Sequence, residues 1–296
     1  MPELPEVETV VRDLRPYLVH QMIQKISCGK KQLRRPWKIA WNKKITNQVI
    51  TKIDRRGKWI LIHLNHGGVL IIHLGMTGQL TVHSPSDPIA DHVHFRLLLQ
   101  ANPSTNTDQS STDKPKKTRK SVEKQAPMEL RFRDIRRFGS VEFFADLPSW
   151  EDHHGEMLGP EPFDLTKKEW QEAVQKSNRS LKALLLDQSI VAGIGNIYAD
   201  ESLFEAKLLP TRFGSQLSFE EMDRLRLAIR KVLKKAIESR GSTIRNYVGG
   251  SGLQGEYQEV LAVYGRGQAP CLICGTEIQV IRLAGRSTHF CPHCQK

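Results

Sequence analysis

The 296-residue sequence contains no run of about 18 consecutive apolar residues, the length that a helix needs to cross a bilayer. Its first residues also differ from a secretory signal, because Glu3, Glu6 and Glu8 stand where a signal peptide is basic and then apolar. We therefore expect no membrane association and a cytoplasmic location, or another reducing compartment.

Acidic residues are too few to balance the basic ones: 32 Asp and Glu stand against 44 Lys and Arg, which gives a net charge of +12. Such an excess favours a polyanionic partner, with nucleic acid first and an anionic membrane second. A basic protein that is merely soluble is an alternative that charge alone leaves open. Hydrophobic residues make up 39% of the chain, which excludes wholesale disorder and allows one large domain or two ordinary ones.

Cysteine is also scarce, and four of the five cysteines lie between 271 and 296. They form two Cys-x2-Cys pairs separated by 16 residues: Cys271, Cys274, Cys291 and Cys294. In a reducing compartment this spacing predicts a closed tetrahedral site for one structural zinc ion, with redox cysteines or chance spacing as the alternative. The aliphatic segment between the pairs predicts a β-hairpin with Arg286 in its turn, where an arginine can reach a phosphate.

Apolar periodicity predicts an α+β fold. A 3.6-residue repeat indicates a helix over 5–18, and β-rich runs with a turn at 65–68 indicate antiparallel strands up to residue 144. The pattern turns helical from 165 onward. We therefore predict four parts: an N-terminal antiparallel β-sandwich domain with flanking helices (1–146), a Pro- and Gly-containing linker (147–164), a helical domain (165–265) and a zinc ribbon (266–296).

Residues 101–128 interrupt a predicted strand pair. They are rich in Ser, Thr, Asn, Lys and Pro, contain no aromatic residue, and carry six basic and three acidic side chains. This composition predicts a disordered insertion in a hairpin loop. A tolerated loop expansion is the ordinary interpretation, and a weak, nonspecific DNA tether is the functional alternative.

Several ordered sequence blocks, together with the cysteine pairs, resemble the formamidopyrimidine-DNA glycosylase family over the whole chain except the insertion. The blocks are MPELPEVETV at 1–10, RGKW at 56–59, HLGMTG at 73–78, DIRRFG at 134–139, LLDQSIVAGIGNIYADE at 185–201 and VYGR at 263–266. The resemblance implies that the helical domain is a helix–two-turn–helix domain. It also implies a monomeric bacterial enzyme of base excision repair whose partner is double-stranded DNA with oxidised bases.

The resemblance further implies a bifunctional glycosylase and DNA-(apurinic or apyrimidinic site) lyase. The enzyme would excise 8-oxoguanine and formamidopyrimidines through an imine at Pro2 and then cleave the strand by β,δ-elimination. The chemistry suits an N-terminal amine with a pKa of about 8, because a useful fraction is neutral near pH 7.5, unlike a lysine of pKa about 10.4. Met1 must be removed first. Glu3 is then expected to shuttle protons and Glu6 to arrange the site.

A stacked base cannot be attacked, so such an enzyme must flip the nucleotide out and fill the gap. The resemblance implies that Met76 and Phe138 wedge into the duplex and that Arg136 faces the orphaned cytosine. The expected phosphate contacts are Lys58, Asn196 and Arg286, and the resemblance also places Lys58 and Arg286 with Pro2, Glu3 and Glu6 among the catalytic residues. From the residues themselves we predict Asn196 as the N-cap of a helix, after two glycines.

Two further DNA contacts are expected. Tyr257 follows the glycine-rich stretch 249–255, which corresponds in position to the family's lesion-recognition loop. His92 is a phosphate contact, but Ala90-Asp91-His92 departs from the His-Asp-His of many relatives. That departure puts one phosphate contact in doubt, not the chemistry.

Two other functions compete with this one. Endonuclease VIII, a sister family that prefers oxidised pyrimidines, has the same architecture and proline, but Leu4 and the pair Asp187-Gln188 favour the purine-specific family. A noncatalytic DNA-binding zinc protein would bind DNA without cleaving it. Each site residue taken alone also has an ordinary structural interpretation, such as a core methionine or a solvated lysine.

Overall fold

The computed structural model describes residues 1–102, 126–154, 158–242 and 255–296. The α-helices in these ranges are α1 (Leu4–Leu18), α2 (Ala40–Ile45), α3 (Leu147–His154), α4 (Lys167–Gln175), α5 (Leu181–Leu186), α6 (Asn196–Glu205) and α7 (Phe219–Glu238). Short 3₁₀ turns span Gly214–Gln216 and Tyr257–Val260.

The strands are β1 (Gln21–Cys28), β2 (Ile50–Arg56), β3 (Trp59–Leu64), β4 (Val69–His73), β5 (Gly78–His83), β6 (Val93–Ala101), β7 (Met128–Asp134), β8 (Ser140–Phe144), β9 (Gln279–Leu283) and β10 (Arg286–Phe290). They form two four-stranded sheets, β1-β6-β7-β5 and β2-β3-β4-β8, and the β9-β10 hairpin. Every strand pair in them is antiparallel.

The two larger sheets enclose one core, to which both sheets and α1 contribute side chains. The predicted antiparallel sandwich with flanking helices is therefore confirmed. The turn at 65–68 joins β3 to β4 as predicted, and β6 pairs with β7, Leu97 opposite Leu130. Most of the insertion between these two strands, residues 103–125, lies outside the described residues.

The segment 147–164, which we predict as a linker, begins with helix α3. Its Trp150 is buried against Leu61, Val69 and Ile71 on the outer face of the second sheet. Because α3 covers this outer face, β3 and β4 carry apolar residues on both faces of the sheet instead of alternating between apolar and polar residues. Residues 147–154 thus pack as part of the N-terminal lobe, with Pro148 in the first turn of the helix, where no N–H is required.

The C-terminal lobe has its own core, formed mainly by α4, α5, α6 and α7. Hydroxyl side chains of Thr166, Ser180 and Ser218 cap the N-termini of α4, α5 and α7. Among the described residues, no helix combines the length and the apolar character that a bilayer crossing requires.

Helix α1 belongs to both lobes. Its Leu4 is buried in the C-terminal core and packs against Gly193, while Val7, Val10 and Leu14 point into the sandwich core. The backbone amide of Leu4 donates to the carbonyl of Gly193 at 3.0 Å. The first turn of the chain is consequently held at the junction of the lobes.

Candidate active site and nucleic-acid interface

The N-terminal residues meet the start of α6 at this junction. Pro2, Glu3, Glu6 and Lys58 are all buried, and Met1 is exposed. Four of the residues that the sequence singles out for catalysis are therefore desolvated, and the charges of Glu3, Glu6 and Lys58 act together on the N-terminal amine.

The Glu3 carboxylate caps α6 from the other lobe. It accepts hydrogen bonds from the backbone amides of Gly195 (2.7 Å), Ile197 (3.0 Å) and Tyr198 (3.4 Å). The N-cap position itself is Gly195, so our prediction that Asn196 is the N-cap is wrong: Asn196 is the first helical residue. Glycine suffices there because the capping oxygen comes from Glu3 rather than from the cap's own side chain.

Glu6 is buried as well. Its carboxylate accepts from the Tyr198 hydroxyl (2.5 Å), the Ser242 amide (2.8 Å), the Glu3 amide (2.8 Å) and the Ser242 hydroxyl (3.4 Å). Burial, helped by the negative charge of Glu3, raises the pKa of Glu6 to about 7, although these hydrogen bonds oppose the shift.

The N-terminal amine is surrounded by the charges of the predicted site. Burial lowers the pKa of the Met1 amine; Glu3 and Glu6 act to raise it, and Lys58 and Arg286 to lower it further. Lys58 donates from Nζ to the Ile194 carbonyl at 2.8 Å, and burial lowers its pKa as well. Arg286 opens β10 with an exposed side chain, so the zinc ribbon supplies a cation to the same pocket.

The raised pKa of Glu6 predicts that stability falls as the pH increases. Because the folded-state pKa of about 7 exceeds that of the unfolded chain, Glu6 favours folding below about pH 4.5. That contribution, on the order of 3 kcal/mol, is lost as the pH rises through 7. We expect Glu6→Gln to remove this slope, so its unfolding free energy relative to wild type should increase between pH 5 and 8, as measured by urea unfolding.

Glu8→Gln provides the matched control from the same helix. Arg12 and Arg55 lower the pKa of Glu8 and outweigh its burial, so Glu8 is ionised throughout this window and its substitution should shift stability by a constant amount. Parallel pH profiles for Glu6→Gln and Glu8→Gln would contradict the assigned shift.

Two exposed loops of the N-terminal lobe carry the predicted wedge. Met76 lies between β4 and β5 and is 43% exposed; Phe138 lies between β7 and β8 and is 44% exposed. The Arg136 guanidinium lies over the Phe138 ring, 4.6 Å from its centroid. Neither apolar side chain is a core residue, which is the geometry that insertion into a base stack requires.

Asn196 faces the zinc ribbon. Its Nδ2 donates to the Ser287 carbonyl at 3.0 Å, and its buried Oδ1 has no hydrogen-bond partner among the described residues. The amide nitrogen carries a second hydrogen that a phosphate oxygen could accept. His92 lies beside the wedge loops, where its carbonyl accepts from the Asp134 amide at 3.0 Å.

The structure places Tyr257 in the core of the C-terminal lobe. The residue is 3% exposed and its ring packs against Tyr198, with 5.6 Å between centroids. In this conformation Tyr257 cannot touch a bound base, because the aromatic ring is enclosed by the lobe's own side chains. Residues 249–254 of the expected lesion loop lie outside the described residues.

A buried ion pair that the sequence reasoning missed joins the C-terminal lobe to the zinc ribbon. Lys182 and Asp200 are fully buried, with 2.6 Å between Nζ and Oδ1. The amide and Nδ1 of His289 in β10 each lie 3.0 Å from the other Asp200 oxygen. The available signal was the acidic pair Asp200-Glu201 between apolar residues of α6, since buried carboxylates need partners.

The four cysteines of the ribbon converge. Their sulfur atoms all lie within 4.8 Å of one another, with 3.5 Å between Cys274 and Cys291 and 3.9 Å between Cys271 and Cys294. Four sulfurs about 2.3 Å from a central zinc would be about 3.8 Å apart. The cluster can therefore bind one zinc ion as predicted, and all four ligands are protein atoms, as in structural zinc sites.

Comparison with known proteins agrees along the whole chain. Three family models match: the formamidopyrimidine-DNA glycosylase N-terminal domain (1–141), its H2TH domain (158–248), and a zinc finger found in FPG and IleRS (269–296). Formamidopyrimidine-DNA glycosylases from Thermomicrobium roseum and Heliobacterium modesticaldum are each 40% identical over all of this chain and over 99% and 100% of their own.

Solved structures give the same result. A complex of wild-type Lactococcus lactis Fpg with DNA containing N7-benzyl-Fapy-dG superposes with a TM-score of 0.84, 34% identity and full coverage of both chains. A complex of Lactococcus lactis Fpg with abasic-site DNA superposes with a TM-score of 0.84 and 34% identity, covering 99% of each chain. In sequence, fold and zinc ribbon alike, this chain belongs to the formamidopyrimidine-DNA glycosylase family.

Proposed function

We propose that this protein excises oxidised purines from double-stranded DNA and then cleaves the strand at the resulting abasic site. The observation that carries the proposal is the burial of Pro2 together with Glu3, Glu6 and Lys58, whose charges act on the N-terminal amine at the junction of the lobes. The Lactococcus lactis relatives bound to Fapy-dG and abasic DNA support the substrate class.

The proposed nucleophile is the secondary amine of Pro2, once Met1 has been removed. Burial lowers the pKa of the amine that now precedes it, and the same surroundings would keep more of a proline amine neutral. The nitrogen attacks C1′ of the sugar, the bond from C1′ to the base breaks, and the base leaves with the electron pair. Ring opening then gives an iminium.

Glu3 is the proposed proton carrier. It lies next to Pro2, and its negative charge is stabilised by the N-terminus of α6. A carboxylate in that position can accept the proton of the attacking amine and return it to the ring oxygen as the sugar opens. It can then assist the β- and δ-eliminations that break the strand.

DNA is proposed to cross the cleft between the lobes. Lys58 and Arg286 approach the N-terminus from opposite lobes, which suits a phosphate clamp around a flipped nucleotide. Met76, Arg136 and Phe138 would fill the vacated space, with His92 beside them. The assignment of Tyr257 to lesion contact has no support from its buried position.

Borohydride trapping tests the proposal. We expect processed protein to form a covalent adduct with a duplex containing 8-oxoguanine opposite cytosine, and the crosslinked peptide to begin with Pro2. The matched control is the same chain with Met1 retained, which should bind the duplex but give no adduct, because the Pro2 nitrogen is then an amide.

Other outcomes would reject parts of the proposal. An adduct on Lys58 would support lyase activity but identify the nucleophile as a buried lysine on which Glu3 and Glu6 act. An adduct only with an oxidised pyrimidine would favour the sister specificity; a Lactococcus lactis relative has been crystallised with such DNA. No adduct with either lesion would favour a binding protein.

A further inference from the structure

We propose that Asp134 is a positioning residue that joins the Met76 loop (74–77) and the Phe138 loop (135–139) into one rigid wedge. This inference rests on the proposed function, because the wedge has a role only if the protein opens duplex DNA. Asp134 ends β7 and is fully buried.

The carboxylate of Asp134 binds both loops at once. Oδ1 accepts from the Thr77 hydroxyl at 2.5 Å and from the Arg136 amide at 3.2 Å, and Oδ2 accepts from the Gly139 amide at 2.8 Å. Thr77 follows Met76 directly, while Arg136 and Gly139 stand on either side of Phe138. One side chain therefore fixes the base of both tips.

Backbone packing brings the loops together at the same place. Gly75 has a φ of +63°, and a Cβ added there would lie 2.5 Å from the Gly139 nitrogen and 2.6 Å from the Phe138 carbonyl carbon. The loops thus touch without an intervening side chain, as only glycine allows. On the far side, the Arg34 amide donates to the Gly139 carbonyl at 3.2 Å.

Three donors around one buried carboxylate make this position specific for aspartate. Asparagine has the same shape, but it offers one acceptor oxygen and turns an NH2 group toward an N–H or O–H donor. A buried donor without a partner is unfavourable, so the loop that carries it would move until the donor reaches water. Two tips that must enter the stack together then become separately mobile, and a misplacement of about 1 Å can cost on the order of 100-fold in rate.

The test compares opening of the duplex with later chemistry. In Asp134→Asn, we expect two rates to slow on the order of 100-fold. One is the excision of 8-oxoguanine opposite cytosine. The other is the unstacking of an adjacent 2-aminopurine, which stopped-flow fluorescence measures. Thr77→Val removes the hydrogen bond that the Thr77 hydroxyl donates to Asp134 and the one that it accepts from the Arg136 amide, and should slow both rates roughly 5-fold. Cleavage at a preformed abasic site should change little in either variant, because no base has to be extruded.

Thr81→Val is the matched control, since it removes a hydroxyl from β5 outside both loops. Thr77→Val keeps the test informative if Asp134→Asn does not fold. The proposal is overturned if Thr77→Val unstacks DNA as fast as Thr81→Val, or if abasic-site cleavage falls as much as excision does. A wild-type protein without either activity would instead overturn the proposed function.

Discussion

Replacement of Glu3 by glutamine is expected to slow base excision by on the order of 100- to 10,000-fold, the range typical of a lost general acid–base group. An amide cannot carry the proton from the attacking amine to the sugar ring. It also presents an NH2 group where two carboxylate oxygens now accept from Gly195, Ile197 and Tyr198. The measurement is the single-turnover excision rate on a duplex with 8-oxoguanine opposite cytosine.

Glu8→Gln is the matched control for that loss. It is the same substitution in the same helix, at a glutamate whose partners are Arg12 and Arg55 outside the site. DNA affinity and unfolding temperature, measured for both variants, distinguish a loss of proton transfer from a loss of the α6 cap that Glu3 provides. If the Glu3→Gln rate decreases only in proportion to the folded fraction, Glu3 is a structural cap and the proton-carrier role is wrong.

The largest stability loss is expected from Lys182→Met. Removing the lysine leaves the Asp200 carboxylate fully buried beside His289 without its counter-charge. Breaking a buried pair in this way typically costs about 3–5 kcal/mol. Urea unfolding with a parallel measurement of zinc content should show both a lower midpoint and a ribbon that releases zinc more readily.

Lys231→Met is a close control, because Lys231 and Glu205 form an ion pair at the same 2.6 Å distance with the lysine 70% exposed. Solvent screens that pair, so its loss should cost less than about 1 kcal/mol. Equal losses in the two variants would show that Asp200 is hydrated after Lys182 is removed. The double variant Lys182→Met with Asp200→Leu should recover much of the stability, since no uncompensated charge is then left buried.

The residues that the sequence identified most directly were those whose chemistry depends on local spacing. The two Cys-x2-Cys pairs predict a tetrahedral site from the chain alone, and the four sulfurs converge in the structure. The 3.6-residue period of α1 and the turn at 65–68 are likewise local, and both are confirmed.

The sequence reasoning failed where a partner came from far along the chain. Asn196 was predicted as an N-cap because the local pattern Gly-x-Gly-Asn suits one, yet the capping carboxylate is Glu3, 192 positions from Gly195. Asp134 and Asp200 lay inside recognised motifs without a role, because their donors, such as Thr77 and His289, come from other elements. Tyr257 follows a glycine-rich loop in sequence but packs in a core.

The sequence by itself determined the elements, the zinc ligands, the basic character and, through its ordered motifs, the family. Only the tertiary structure decided where the N-terminus lies. Burial of Leu4 in one lobe and Val7 in the other holds α1 across the junction, which brings Pro2, Glu3 and Glu6 against α6. Desolvation and long-range charge act through space rather than along the chain, so the raised pKa of Glu6 and the Lys182–Asp200 pair could be seen only after folding.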